Sequence, residues 1–154
     1  MVTIKRGTIE DVDNLLRLSI NLFKEVGHQF PIADNKQAKT FCQNLLKNEN
    51  YVVFIATDSK NSASGMITLN EGLSVYAGGT FGIIREFYVI KQKRSSGIGK
   101  ALLHSAVEFA RSKGWKRLEV TPPHKEEWRR TYNFYMREGF IEIGPRLKLE
   151  ILNE

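Results

Sequence analysis

The sequence is poor in cysteine, the residue that cross-links small secreted proteins and binds metal clusters. Cys42 is the only cysteine among 154 residues, so the chain has no intrachain disulfide and no cysteine-based metal cluster. The longest apolar run, Tyr51–Ala56, is far too short to span a bilayer. The first residues carry charges where the apolar centre of a signal peptide would lie. We therefore expect a cytoplasmic protein with no membrane partner and no metal.

Two common nucleotide-binding patterns are also missing. The chain has neither the Gly-x-Gly-x-x-Gly string of dinucleotide-binding folds nor the Gly-Lys-Ser/Thr string of P-loops. Acidic residues are in deficit, with 17 Asp and Glu against 23 Lys and Arg, and the net charge of +6 favours an anionic ligand. Nucleic acid is not the expected partner, because the basic residues are spread over several elements and the aromatic residues mostly fall on core stripes.

What is present indicates one globular domain, 1–154. Apolar residues make up 42% of the chain and charged residues 26%, as in folded globular proteins. Apolar periods of two and of 3.6 residues predict strands and helices respectively. The predicted strands are Val2–Lys5, Tyr51–Ala56, Gly65–Leu69, Thr80–Ile90, Lys116–Val120, Phe140–Ile143 and Leu147–Leu152. Four helices are predicted: one that begins at Thr8, one over Asn35–Leu46, one that ends at Gly114 and one over Lys125–Arg137. Glu71–Gly79 is a predicted loop.

The stretch Phe87–Gly114 is the most informative part of the sequence. An apolar run leads into a short basic loop, and an amphipathic helix follows directly. The first turn of a helix has N–H groups without intrahelical partners and about half a positive charge, so it attracts anions. Gly97 and Gly99 would let a phosphate approach the backbone closely. The alternative is an ordinary strand-to-helix turn. The cations expected around the anion are Lys93, Arg94 and Lys100.

Two strings resemble motifs of one enzyme family. Arg94-Ser95-Ser96-Gly97-Ile98-Gly99 resembles the acetyl-CoA motif Gln/Arg-x-x-Gly-x-Gly/Ala of the GCN5-related N-acetyltransferases. Phe134-Tyr135-Met136-Arg137-Glu138-Gly139-Phe140 is similar to that family's Phe-Tyr-x-x-x-Gly-Phe segment. The predicted order of elements is also similar. The resemblance implies an α/β fold with a central mixed, mostly antiparallel sheet of six or seven strands, splayed central strands and about four helices.

The same resemblance implies acetyl-CoA as the co-substrate. The backbone amides of Ser95–Lys100 would hold its diphosphate, and the backbone of Phe87 and Val89 would pair with its pantetheine arm. The amide of Val89 or of a neighbour would face the thioester oxygen. Trp128 stands where many relatives have an asparagine contacting the pantetheine, so Asn133 is a candidate in another register. The expected cofactor-binding residues are Phe87, Tyr88, Val89, Arg94, Ser95, Ser96, Gly97, Ile98, Gly99, Lys100 and Asn133.

Tyr135 and Glu86 are the expected catalytic residues. The motif match places the Tyr135 hydroxyl near the cofactor sulfur as general acid, and an unperturbed tyrosine, with a pKa near ~10, is protonated at neutral pH. The alternative is a half-buried packing role. Glu86 stands among apolar neighbours on the predicted strand and is a candidate base or amine ligand; the alternative is an ion pair with Arg85 or a C-terminal arginine. Strand alternation places Glu86 on the face opposite Phe87 and Val89.

The function implied is transfer of an acetyl group to a primary amine by direct attack in a ternary complex. The acceptor, a small molecule or a peptide amine, is not chosen by the sequence. Glu25 and His28, near the end of the first helix, are either part of the acceptor pocket or solvated. The alternative function is a non-catalytic CoA-binding regulatory module. Homodimer formation is left open.

Overall fold

A computed structural model of the chain describes residues 1–124, 126 and 128–151. The backbone forms two compact units, Met1–Glu119 and Val120–Glu154. Nowhere in the described ranges is a helix both long and apolar enough to cross a membrane. The strands are β1 (Thr3–Arg6), β2 (Tyr51–Thr57), β3 (Ala63–Ser74), β4 (Gly79–Val89) and β5 (Leu118–Val120); the helices are α1 (Val12–Glu25), α2 (Asn35–Lys47), α3 (Ile98–Ser112) and α4 (Arg129–Arg137), with 3₁₀ turns at Ile9–Asp11 and Lys91–Lys93.

The strands form one sheet in the order β1-β2-β3-β4-β5. The first four strands pair antiparallel in sequence order. Helix α3 separates β4 from β5, and such a crossover is the connection that parallel neighbours need, so the sheet is mixed. β4 has eleven residues and β5 has three, so β5 can pair with only part of β4.

The two faces of the sheet in the first unit are covered by different helices. On one face, α1 and α2 pack on alternate residues of β2 and β3, with Leu15 and Leu18 of α1 essentially inaccessible. Burying each such leucine contributes about 1.5–3 kcal/mol. On the other face lies α3, where Phe109 packs edge-on against Phe54 of β2 at 6.0 Å between ring centroids. Both faces of β2 and β3 are therefore core, and these strands are buried over most of their length.

The helices on the first face begin where the sequence provides caps. The buried carboxylate of Asp11 accepts the Thr8 N–H at 2.9 Å and pairs with the Lys5 ammonium at 2.8 Å. Asp34 precedes α2 and accepts the Gln37 N–H at 2.8 Å. Asp34 satisfies a first-turn N–H group of α2, and Asp11 satisfies the N–H of Thr8, the residue before the 3₁₀ turn that leads into α1. They fix where α1 and α2 start on the sheet.

Several predicted elements differ from the structure. β3 runs on to Ser74 and β4 begins at Gly79, so only residues 75–78 of the loop predicted for Glu71–Gly79 form a turn. The helix predicted for Lys125–Arg137 begins at Arg129, and Lys125 lies outside the described residues. Within the described ranges the sheet has five strands instead of six or seven, because residues 140–151 form no strand. The alternating apolar side chains of this segment are exposed: Ile141, Ile143, Leu147, Leu149 and Ile151.

Candidate active site

The loop between β4 and α3 presents a helix N-terminus with little side-chain cover. Gly97 is the residue before the helix; its carbonyl accepts the Ala101 N–H at 3.0 Å and its φ is +88°. A Cβ at Gly97 would meet no atom within 4 Å, so glycine is needed here for its backbone conformation and not for lack of room. Ser95 also has a positive φ of 60°. The first-turn N–H groups of α3 have no intrahelical partner, and the residues Ser95–Gly97 that precede the helix are exposed, as an anion site requires.

Arg94 fastens this loop to two other elements. Its Nε donates to the Val89 carbonyl at 2.9 Å, which closes the loop onto the end of β4. Its two terminal nitrogens each lie 2.7 Å from one oxygen of Glu25, the last residue of α1. The hydrogen bond from Arg94 lowers the pKa of the Glu25 carboxyl below its ordinary value. Glu25 is therefore an ion-pair partner of the loop arginine and not a merely solvated residue.

The pairing of Arg94 leaves lysines as the loop's outward charges. Because Glu25 matches the guanidinium charge, Arg94 holds the shape of the loop more than it adds net positive potential. The exposed cations at this position are Lys91, Lys93 and Lys100. Flexible, solvated ammonium groups at a helix N-terminus reinforce its attraction for phosphate.

β4 ends with backbone groups directed away from β3. The Ile90 N–H donates to the Ser64 carbonyl at 2.8 Å, and Gly65 is opposite Val89. In an antiparallel ladder, hydrogen-bonded and non-hydrogen-bonded pairs alternate. The N–H and carbonyl groups of Phe87 and Val89 therefore point to the side of β4 away from β3, and the Val89 carbonyl is the one that Arg94 takes. This is the geometry in which an extended chain could add along β4.

A β-bulge in β4 sets the direction of Glu86. Ile67 is opposite Phe87 and Leu69 is opposite Ile84, so Arg85 and Glu86 together face Thr68 alone. The Glu86 N–H donates to the Thr68 hydroxyl at 2.9 Å, and that hydroxyl donates to Glu86 Oε1 at 2.7 Å. The half-buried Glu86 carboxylate therefore lies on the α1/α2 face of the sheet, as strand alternation predicts.

A second hydroxyl fixes the same carboxylate oxygen. The Tyr51 hydroxyl, from the start of β2, donates a short hydrogen bond to Glu86 Oε1. Burial and the Glu86 charge raise the pKa of Tyr51 far above its ordinary value, so the phenol remains a donor at any physiological pH. Burial and the same charge raise the pKa of the Cys42 thiol, which makes it a poor nucleophile. Both donated bonds go to Oε1, which leaves Oε2 for a ligand.

The expected ion pair between Glu86 and Arg85 is not found in the part of the chain that the structure describes. The Arg85 Nε instead donates a short hydrogen bond to the Asn70 side chain. Glu86 is thus a half-buried carboxylate held by neutral hydroxyls. A carboxylate in such surroundings attracts a cationic ligand, because no cation among the described residues forms an ion pair with it.

Tyr135 and Asn133 lie in the second unit, on α4. Tyr135 is 6% exposed, and its ring packs edge-on against Phe134 and Phe140, with centroids 5.7 and 5.2 Å apart. Burial raises the pKa of its phenol well above the ordinary value, so the hydroxyl is protonated at neutral pH. Asn133 is exposed on the same helix. The sequence-predicted residues of the first unit, by contrast, form one continuous segment from Glu86 to Lys100.

Sequence reasoning missed Tyr51 and Thr68, and it did not predict that Glu25 pairs with Arg94. Glu25 contacts Arg94 across 69 positions of sequence, and Tyr51 and Thr68 meet Glu86 across 35 and 18 positions. Only Thr68 gave a local signal, since it is a polar residue inside an apolar strand and is fully buried. The contacts of Glu25 and Tyr51 depend on the packing of α1 and on strand register.

Comparison with known proteins identifies the family. The model of the acetyltransferase (GNAT) family matches residues 15–140. The curated protein YuaI of Bacillus subtilis (strain 168), named an uncharacterized N-acetyltransferase, is 24% identical in an alignment of 156 positions. The alignment covers 96% of this chain and 90% of YuaI.

Solved structures share the fold. A predicted acetyltransferase from Clostridium acetobutylicum, crystallised with acetyl-CoA, superposes with a TM-score of 0.80 at 18% identity and covers 97% of this chain and 96% of that one. An aminoglycoside acetyltransferase from an uncultured soil metagenomic sample superposes with a TM-score of 0.76 at 22% identity, over 99% and 97% of the two chains. Identities this low establish the common fold, not a common acceptor.

Proposed function

The chain belongs to the acetyltransferase (GNAT) family, and we propose that it uses Glu86 to bind and deprotonate a primary amine that takes an acetyl group from acetyl-CoA. The observation that carries this assignment is the continuity of the site. One segment of chain contains the carboxylate, the backbone edge of β4 and the glycine-containing start of α3. The enzyme is thus an acetyl-CoA-dependent N-acetyltransferase, and the roles of the individual residues are our proposal.

The loop and the end of β4 are the parts that fit acetyl-CoA. The N–H groups of Ser95–Lys100 would bind the diphosphate, and the positive φ of Gly97 supports this because it turns the backbone toward the ligand. The outward backbone groups of Phe87 and Val89 would pair with the amides of the pantetheine arm. The amide of Val89 or of a neighbour would bind the thioester oxygen, whose negative charge grows during the reaction. Acetyl-CoA itself supplies the activated acetyl group.

Glu86 would act on the acceptor. An ammonium approaching Oε2 pairs with the carboxylate and passes one proton to it, directly or through a water molecule. The amine nitrogen then adds to the acetyl carbon and the carbonyl oxygen becomes an oxyanion. As the carbonyl re-forms, the carbon–sulfur bond breaks, the nitrogen loses its second proton to solvent, and Glu86 also releases its proton to solvent. The sulfur leaves with the bonding electrons and takes a proton from the Tyr135 hydroxyl, which regains one from water. Tyr51 and Thr68 would hold the carboxylate in one orientation throughout.

Two measurements test the proposal. Calorimetric titration with acetyl-CoA, repeated with CoA lacking the 3′-phosphate, tests the loop; we expect micromolar binding of the first. Release of CoA in the presence of amines tests the transfer. Glu86→Gln should reduce turnover by about a hundredfold or more while acetyl-CoA affinity stays unchanged, in line with the contribution of a general base.

Glu108→Gln provides the matched control, because Glu108 is an exposed carboxylate of α3 that pairs with Arg111. Binding of acetyl-CoA without any turnover would favour the alternative of a non-catalytic CoA-binding module. A Glu86→Gln variant as fast as the unsubstituted enzyme would remove Glu86 from the reaction. Location in the cytoplasm stays a prediction of the sequence, and homodimer formation stays open.

A further inference from the structure

The bulge in β4 places two adjacent, oppositely charged side chains on one face of the sheet. In a regular strand Arg85 and Glu86 would point to opposite faces. Here Glu86 contacts the Thr68 side chain and Arg85 contacts the Asn70 side chain. Thr68 and Asn70 are two residues apart on β3 and so share a face, which is the face carrying α1 and α2. An acceptor binding at Glu86 therefore meets the Arg85 guanidinium as well.

These two charges do not neutralise each other. No ion pair joins them among the residues described, and the hydrogen bonds to Thr68 and Asn70 keep them apart. Residues two apart on a strand are separated by about 6.5–7 Å, so Glu86 Oε1 and Arg85 Nε are hydrogen-bonded to side chains whose backbone positions lie that far apart. A molecule bridging them needs a cation at one end and an anion at the other. Each end would lie at a charge-assisted hydrogen-bond distance of about 2.8 Å.

We propose that the acceptor is a small zwitterion of the α-amino acid type, with its carboxylate bound by Arg85 and its amine bound by Glu86. The inference rests on the proposed function, since it assigns the acceptor of that same site. The Arg85 Nε is engaged by Asn70, and its terminal nitrogens form a planar fork suited to a carboxylate. The carboxylate is bound but not altered. Polycationic acceptors are disfavoured, because their other amines would lie near the exposed guanidinium.

The direct test compares acceptors that differ only in the carboxylate. CoA release is measured with the twenty free amino acids and with the corresponding amino acid amides, which keep the α-amine and lose the negative charge. We expect kcat/KM for the best amino acid to exceed that for its amide by at least tenfold, roughly the value of one charged hydrogen-bonding group. Amides that equal or surpass the acids would overturn the inference. Peptides acetylated at the N-terminus better than free amino acids would overturn it as well.

A charge-removing variant locates the effect. Arg85→Gln should raise KM for the amino acid roughly ten- to a hundredfold, leave kcat within a few-fold and leave the amide kinetics unchanged. Arg85→Lys should recover part of the loss, because it restores the charge without the fork. Arg111→Gln is the control: it removes another exposed guanidinium, on α3. Equal KM values for Arg85→Gln and Arg111→Gln would refute the role of Arg85.

The outcomes separate this inference from the proposed function. Turnover of simple amines but of no amino acid would refute the zwitterion and keep the acetyltransferase. Acetyl-CoA binding with no turnover of any amine would refute the transfer itself, and the inference with it.

Discussion

The ion pair between Glu25 and Arg94 yields a quantitative prediction about the acetyl-CoA loop. Glu25→Gln removes the charge and keeps the shape of the side chain. Exposed ion pairs contribute about 0–1 kcal/mol, whereas breaking a buried pair costs about 3–5 kcal/mol. Both partners here are 27% exposed, so the pair lies between these limits. We expect the free energy of unfolding to fall by about 1–2 kcal/mol, because Arg94 loses its charged partner while it keeps its bond to the Val89 carbonyl and its position over the Tyr88 ring.

The same loss should weaken cofactor binding. If the loop is the part that loosens, a smaller fraction of the protein is competent to bind, and Kd for acetyl-CoA rises about five- to thirtyfold, since 1.4 kcal/mol corresponds to tenfold. Urea denaturation and calorimetric titration of Glu25→Gln measure the two effects. Glu108→Gln is the control and should change stability by under ~0.5 kcal/mol, because its partner Arg111 is 69% exposed.

The stabilisation by this pair also depends on pH in a defined direction. Folding lowers the pKa of Glu25, so the native state binds fewer protons here than the unfolded chain does. The stabilisation is complete above the unfolded-state pKa of about 4.3 and is lost as pH falls through the lower native value. Glu25→Gln should therefore destabilise the protein at pH 7 and progressively less below about pH 4. A constant difference across this range, or unchanged stability and Kd at pH 7, would contradict the role of the pair.

Three further variants test the site. Gly97→Asp should abolish acetyl-CoA binding, because it places a negative charge at the anion site. Gly97→Asn is the control for backbone strain, because asparagine tolerates a positive φ. A folded Gly97→Asp variant with normal Kd for acetyl-CoA would reject the loop assignment. Tyr135→Phe should lower turnover by roughly ten- to a thousandfold with little change in cofactor affinity, and unchanged turnover would reduce this tyrosine to packing. Tyr51→Phe should lower kcat about five- to fiftyfold by loosening Glu86, and an unaltered pH–rate profile would argue against that coupling.

The sequence predicted the elements whose signals are local. The period of 3.6 residues and the residues at Thr8 and Gly114 marked α1 and α3, and two motif strings identified the family before any contact was known. The full extent of β3 cannot be predicted from the sequence, because Gly72 falls in a glycine-containing stretch that predicts a loop. In the structure Gly72 lies in the strand, where a Cβ would come within 2.7 Å of the Phe81 ring. A glycine needed for close packing cannot be told from a turn glycine in one sequence.

Long-range features could not be predicted. Whether residues 140–151 pair as strands depends on a partner strand elsewhere in the chain. The alternation of apolar residues indicates only a local preference for an extended conformation. The bulge at Arg85 and Glu86 depends on how β4 is registered against β3, and the hydroxyls that orient Glu86 come from two other strands. The acetyl-CoA motif was readable because it is a continuous string. That residues 1–154 form a single domain stays a prediction.

The one extra residue in β4 has a consequence for how such an enzyme can change. The strand is proposed to serve its two substrates through different atoms, with the main chain at its edge for acetyl-CoA and side chains on one face for the acceptor. Substitution at Arg85 alters the side-chain contacts to the acceptor and leaves the main-chain contacts to acetyl-CoA in place, because main-chain groups are the same for every residue. Acceptor preference can then drift while the cofactor site stays intact. A lineage could acquire new substrates by side-chain replacement alone, with no intermediate that loses acetyl-CoA.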